Sequence, residues 1–224
     1  MSARKLNVIL ALLALTFGFS LSVKAQVDCV YGFRIYVRNE AGKTIENARL
    51  EVKGLSEKDK LPANVNPYVE KSGAYNIHAF GGQTLKGDFV LKVSAEGYEA
   101  DERKFNFPVC EMQSFELRLR PAGSTEKASF ERLLTVHGKV YDDWMRPFGG
   151  ARIEATMADG RIYRTSPNAY GYYEIDLPKG VAKFLVTDKR IPNMIFDNFK
   201  VEEGNTVLNM PVCIQCKGVV VQNH

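Results

Sequence analysis

The side chains best suited to chemistry in this chain are few and scattered. Cys213 and Cys216 stand three residues apart near the C-terminus, the adjacent acids Asp142 and Asp143 precede the single tryptophan, Trp144, and the histidines are His78, His137 and His224. A Cys-x-x-Cys pair is a disulfide hairpin, a redox dithiol or half of a zinc site. Here it follows a strand-like run instead of opening a helix, and no second closely spaced pair accompanies it, which favours the hairpin. A zinc peptidase needs closely spaced His and Glu ligands plus a further His, and none of the three histidines has such a partner. Two neighbouring acids in a turn read as turn formers before they read as a calcium site. The chain carries no nucleophile elbow, no phosphate-cradling glycine loop and no Cys and His in a recognisable frame. No catalytic residue, no metal and no cofactor is expected.

The candidate ligand contacts are aromatic. Trp144 sits at a turn apex, and Tyr170 and Tyr172 fall on the opposite register from the inward Tyr173. Flat rings exposed at loop ends are what a sugar or a peptide stacks on. The competing expectation is that Trp144 folds back and plugs the end of its own domain.

These residues must be positioned by strands. Phe33, Ile35 and Val37 alternate with Arg34 and Arg38, a period of two that marks a strand with one face on a core. Leu134, Val136 and Val140 do the same, with His137 and Lys139 outside and Gly138 where a bulge or a close backbone approach is expected. Residues 37–51 and 140–154 align without a gap and end in the same Ala-Arg-aliphatic-Glu phrase. The chain is therefore a module written twice. The repeated Arg and Glu fall on the outward parity, so they mark register. Residues 54–71 read as a long polar loop, and residues 187–200 have no clear strand boundaries. Short strands at intervals of about ten residues, with no sustained helical period, predict an all-β chain of two tandem antiparallel Ig-like sandwiches. The expected units are residues 27–120 and 131–224, joined by a linker over 121–130.

Residues 1–25 stand outside both units. Arg4 and Lys5 precede an apolar run to about Leu21, followed by Val23-Lys24-Ala25, the pattern of a cleaved signal peptide; an uncleaved anchor is the alternative. Cleavage leaves no stable membrane span and places the protein in a periplasmic or extracellular setting. It also removes three cations and no acid, so the net charge of +4 falls to +1 and a nucleic-acid partner is not expected. In an exported chain, Cys29, Cys110, Cys213 and Cys216 are read as disulfides, of which three pairings are possible. The simplest is Cys29 with Cys110 and Cys213 with Cys216. The first would stabilise by about 4 to 5 kcal/mol in the chain-entropy model.

Several phrases resemble the carboxypeptidase regulatory-like domain, a small β-sandwich related to transthyretin and to starch-binding-like domains. The second unit carries Asp142, Pro147-Phe148, Gly150-Ala151, Asn168-Ala169-Tyr170-Gly171-Tyr172-Tyr173 and Leu177-Pro178-Lys179-Gly180, and the first carries Gly87-Asp88-Phe89 and Leu91 to Tyr98, ending Glu96-Gly97-Tyr98. Met145 departs from the pattern where the first unit has Gly42, Thr44 replaces a proline, and the second unit lacks the terminal Gly-Tyr. The resemblance implies an accessory, non-catalytic module, with other envelope or extracellular proteins, or a glycan, as partners. The glycan expectation rests on Trp144, Tyr170 and Tyr172.

Overall fold

In the computed structural model, residues 31–54, 68–69, 74–79, 88–106 and 112–223 are described. Residues 1–25, Cys29 and Cys110 lie outside them, and so does the expected bond between the two cysteines. All regular structure among the described residues is strand. The first unit contributes β1 (Tyr31–Arg38), β2 (Arg49–Gly54), β3 (Tyr68–Val69), β4 (Ala74–Ala79), β5 (Asp88–Ser94), β6 (Asp101–Asn106) and β7 (Met112–Arg118). The rest of the chain contributes β8 (Ser129–Tyr141), β9 (Arg152–Met157), β10 (Ile162–Thr165), β11 (Tyr172–Pro178), β12 (Gly180–Thr187), β13 (Met194–Val201), β14 (Met210–Pro211) and β15 (Val220–Asn223).

Each module is a sandwich over its own apolar cluster. In the first, Phe33, Ile35, Val37, Phe115 and Leu117 from one sheet meet Leu50, Phe89, Leu91 and Val93 from the sheet β2-β5-β6. In the second, Val136, Val140, Tyr173, Ile175 and Leu177 meet Ile153, Ala155, Phe184, Val186 and Phe196 from the sheet β10-β9-β12-β13-β15. Pairing is antiparallel except where β7 returns beside β1, β14 beside β8 and β15 beside β13, all three parallel. The fold is all-β, two tandem Ig-like sandwiches.

One feature departs from two beads on a linker. A single sheet, ordered β11-β8-β7-β1-β4-β3, runs through both sandwiches, with β7 and β8 antiparallel from Ser114↔Leu133 to Arg118↔Ser129. Ser129 and Phe130, expected in the linker, therefore open β8, and the Phe130 ring stacks on Phe115 of the first core at 4.8 Å between centroids. Beyond Leu133 the same edge of β8 is taken over by the chain near the C-terminus, where Leu208 N–H donates to the His137 carbonyl at 3.0 Å. Gly138 is where that segment comes closest. A Cβ there would stand 2.7 Å from the Leu208 carbonyl carbon and overlap its oxygen, so the close approach expected from the sequence is present.

The repeated turn is built the same way in both copies. Gly42 N–H donates to the Asn39 carbonyl and Met145 N–H to the Asp142 carbonyl, both at 2.9 Å, with φ of 77° at Gly42 and 61° at Met145. The second copy thus holds a side chain in the left-handed region, which costs about 1 to 2 kcal/mol for a residue other than glycine. Met145 is 73% exposed, so burial of its side chain does little to offset this. Met145→Gly should therefore raise the urea midpoint, by a gain of about 0.5 to 1 kcal/mol after the entropy of glycine is subtracted. An unchanged or lowered midpoint would contradict this account of the turn.

Candidate functional site: an aromatic tip and an intermodule cleft

The three candidate aromatic residues share one end of the second sandwich. β8 leads into the turn that carries Trp144, and Tyr170 and Tyr172 flank Gly171 at the start of β11, whose Tyr172 pairs with Lys139. The turns are locked together, because Val140 N–H donates to the Gly171 carbonyl at 2.8 Å and a Cβ on Gly171 would overlap the Val140 carbonyl oxygen. Trp144 is 53% exposed, Tyr170 73% and Tyr172 51%. The tryptophan does not plug the sandwich. Its ring lies under the Arg146 guanidinium at 4.7 Å, and Lys139 Nζ lies 4.4 Å from the Tyr172 centroid. Each such contact contributes about 0.5 to 1 kcal/mol at an exposed site and fixes a ring's orientation.

The Asp pair beneath these rings is an anchor. Asp142 Oδ1 accepts the N–H groups of Trp144 and Arg146 at 2.9 and 3.0 Å, and Oδ2 accepts Arg146 Nε at 2.8 Å. Asp143 Oδ2 accepts the Ile214 N–H at 3.0 Å, which ties the tip to the loop closed by the Cys213–Cys216 disulfide. No group of three or more His, Cys, Asp or Glu that could hold a metal occurs among the described residues. Desolvation pulls the Asp142 carboxyl upward, but the Arg146 side chain and the two N–H donors outweigh it and hold the group below the usual carboxylate range.

A carboxyl with a lowered folded value adds stability above its unfolded value, about 3.9, and loses it as pH falls through the folded one. Trp144 is the only tryptophan, so its fluorescence reports this turn. The emission should hold steady above pH 4 and shift below it, and Asp142→Ala should show the shifted spectrum at neutral pH. A spectrum that changes between pH 5 and 7 instead would mean that another group controls the turn.

The second region lies where the modules meet, and the sequence did not point to it. Asp176 on β11 is 5% exposed; its Oδ2 accepts Arg34 Nη1 at 3.1 Å, Tyr36 O–H at 2.9 Å and Ser114 O–H at 2.9 Å, and Oδ1 accepts Thr135 O–H at 2.6 Å. Glu116 on β7 is 2% exposed and accepts Arg118 Nε at 2.7 Å and Tyr163 O–H at 3.1 Å, with Arg38 Nε 3.3 Å away. Each carboxylate collects donors from both modules. Burial, with the neighbouring Glu116 charge, pushes the Tyr163 hydroxyl up to about 12, so it stays a donor at any physiological pH.

Above these groups lie two adjoining concavities that share Arg38 and Arg164. The outer one has a volume of about 450 Å³ and is walled by Arg38, Lys43 and Arg118 on one side and Ile162 and Arg164 on the other. Sequence parity placed Arg34 and Arg38 on the outward face of their strand. They are on that face, but the second module covers it.

No family model matches the chain, and no curated protein does. Among solved structures it is similar to the Bacillus anthracis TIE protein, at 14% identity and a TM-score of 0.31, over 84% of this chain and 34% of that one. The Streptococcal ancillary pilin matches at 9% identity and a TM-score of 0.31, over 84% of this chain and 63% of that one. The shaft pilin spaA from Lactobacillus rhamnosus GG matches at 9% identity and a TM-score of 0.32, over 85% and 99%. The chain spans about a third of the TIE protein and less than two thirds of the ancillary pilin.

Proposed function

We propose that this is an exported, non-enzymatic protein in which two modules of the carboxypeptidase regulatory-like type, residues 27–120 and 131–224, work as one structural or interaction unit toward other envelope or extracellular proteins. The junction carries this reading. Two carboxylates buried deeply enough for acid–base chemistry are each surrounded by donors that hold strands together, with Asp176 accepting four hydrogen bonds. A group so committed positions modules. The alternating, turn-rich sequence phrases support the family attribution, and the basic and apolar segment at residues 4–25 supports export. The test is the mature chain against chromogenic peptide, ester and glycoside substrates. Turnover that disappears on a single named substitution would end this reading.

A second reading is favoured by one observation, the exposure of Trp144, Tyr170 and Tyr172 at a shared tip. On it, the tip binds a glycan by ring stacking. Glycan-array binding, confirmed by quenching of Trp144 fluorescence and lost in Trp144→Ala, is the expected result. An array without a ligand, or binding indifferent to the substitution, removes it.

A further inference from the structure

The outer concavity of the junction has a wall, β10, whose second edge is hydrogen-bonded to no strand among the described residues. Among the described residues β10 is the last strand of its sheet and is hydrogen-bonded to β9 alone, with β11 close by across the inner concavity. The hairpin closes through Met157 N–H and the Arg161 carbonyl at 2.8 Å, so antiparallel alternation turns the N–H and C=O groups of Tyr163 and Thr165 toward β9 and those of Ile162 and Arg164 away from it. Ile162 and Arg164 are also the β10 residues that line the outer concavity. An open strand edge therefore borders a cleft.

The cleft is also cationic where its charges are free. Its acids Glu40 and Asp159 are paired with Arg120 and Arg161. Arg164 gives Nε and Nη2 to Glu154 and keeps Nη1. Arg118 is bonded to Glu116 through Nε. Lys43 is exposed and enters no ion pair among the described residues. Spare donors of Lys43, Arg118 and Arg164 thus face one space, beside two residues whose backbone can pair with a further strand.

We infer that this cleft docks an extended acidic segment of a partner protein, which adds as a strand to β10 and sets Asp or Glu side chains against Lys43, Arg118 and Arg164. The inference rests on the interaction-protein reading above and gives it a site. Main-chain pairing supplies affinity in this mode and alternate side chains supply specificity. Two outward residues span about 7 Å of edge, room for a segment of three or four residues. A sugar would meet the charges but leave the strand edge unpaired, whereas a peptide satisfies both.

The probe is a fluorescein-labelled hexapeptide alternating Val and Glu, followed by polarisation on residues 26–224 at low salt. It should bind, and weaken about ten-fold when Gln replaces Glu, when the peptide is N-methylated at alternate residues, and in the protein variant Lys43→Glu with Arg164→Gln. Ile162→Pro should weaken it similarly, since it removes an outward N–H and no ladder bond; if that variant does not fold, the N-methylated peptide tests the same pairing. Binding indifferent to N-methylation overturns strand addition, and binding indifferent to charge overturns the acidic partner. Oligogalacturonate binding without peptide binding would assign the cleft to an acidic glycan, and self-association lost in Lys43→Glu would assign it to a second copy; either overturns the inference. None of these failures touches the non-enzymatic reading, which falls only to substrate turnover.

Discussion

Asp176→Ala should cost about 3 to 5 kcal/mol, the range for removing one partner of a buried charged pair. The aspartate faces Arg34, whose side chain is about a quarter exposed, and three hydroxyls, from Tyr36, Ser114 and Thr135. Alanine withdraws the Asp176 oxygens from all four and removes the buried negative charge that faces Arg34. Asparagine in the same place would keep one acceptor oxygen and present an amide N–H₂ to groups that are themselves donors, so Asp176→Asn should fall between. The loss should also have a direction. Arg34, Tyr36 and Ser114 belong to β1 and β7, while Thr135 and Asp176 belong to β8 and β11, so the substitution cuts ties between modules more than ties within one. Urea unfolding followed by Trp144 fluorescence reports the second sandwich, and far-UV circular dichroism reports both. In the unsubstituted protein the two curves should coincide; in Asp176→Ala they should separate. A loss under about 1 kcal/mol with coincident curves would mean that the Asp176 cluster does little to join the modules and that β7–β8 pairing and the Glu116 cluster carry the junction.

That the junction escaped sequence reading has a physical cause. Glu174 and Asp176 occupy the same parity of one strand, two residues apart, and nothing local distinguishes them; yet Glu174 is exposed and Asp176 is buried. Period two separates the core face from the other face and cannot say what the other face meets. Here it meets the second module. The repeated Arg and Glu show the opposite outcome from the same kind of pattern: Arg49 and Arg152 are exposed as their parity implies. Phe130 was a missed signal, an aromatic residue at the end of the expected linker, cut off from the alternation of Leu134 and Val136 by the exposed Arg132, that packs against the first core. β13 was obscured for another reason. Its buried residues run Met194 and Phe196, then Phe199 and Val201, because a bulge at Asn198, with φ of 61°, shifts the parity by one. β10 offers a single buried residue, Tyr163, too little for a period to register. At the tip, the turn chemistry of Asp142 and Asn168 was readable, but whether Trp144 turned in or out depended on Arg146 and on the Asp142 carboxylate below it.

Gly138 is the position where sequence and structure agree most closely, and it yields the second large effect. Gly138→Ala should destabilise by about 3 kcal/mol, because the new methyl meets the backbone of Leu208, which has no rotamer with which to yield. The displaced group also does work. Tyr173, the cross-strand partner of Gly138, donates its hydroxyl to the Leu208 carbonyl at 2.6 Å, and burial pushes that hydroxyl's pKa up so that the bond persists. Moving Leu208 by the required amount breaks the bond, which adds about 1 kcal/mol to the overpacking cost. Tyr173→Phe alone should then cost about 1 kcal/mol, and the double substitution should cost less than the two singles together, since the bond can be lost only once. Gly42→Ala is the control for backbone strain without collision: its φ of 77° disfavours a side chain, but the space around it is open, so about 1 kcal/mol is expected. Urea midpoints of the four variants decide it. If Gly138→Ala costs no more than Gly42→Ala, the C-terminal segment is not held against β8 as described. If the double substitution is additive, the Tyr173 hydroxyl is not what Leu208 loses.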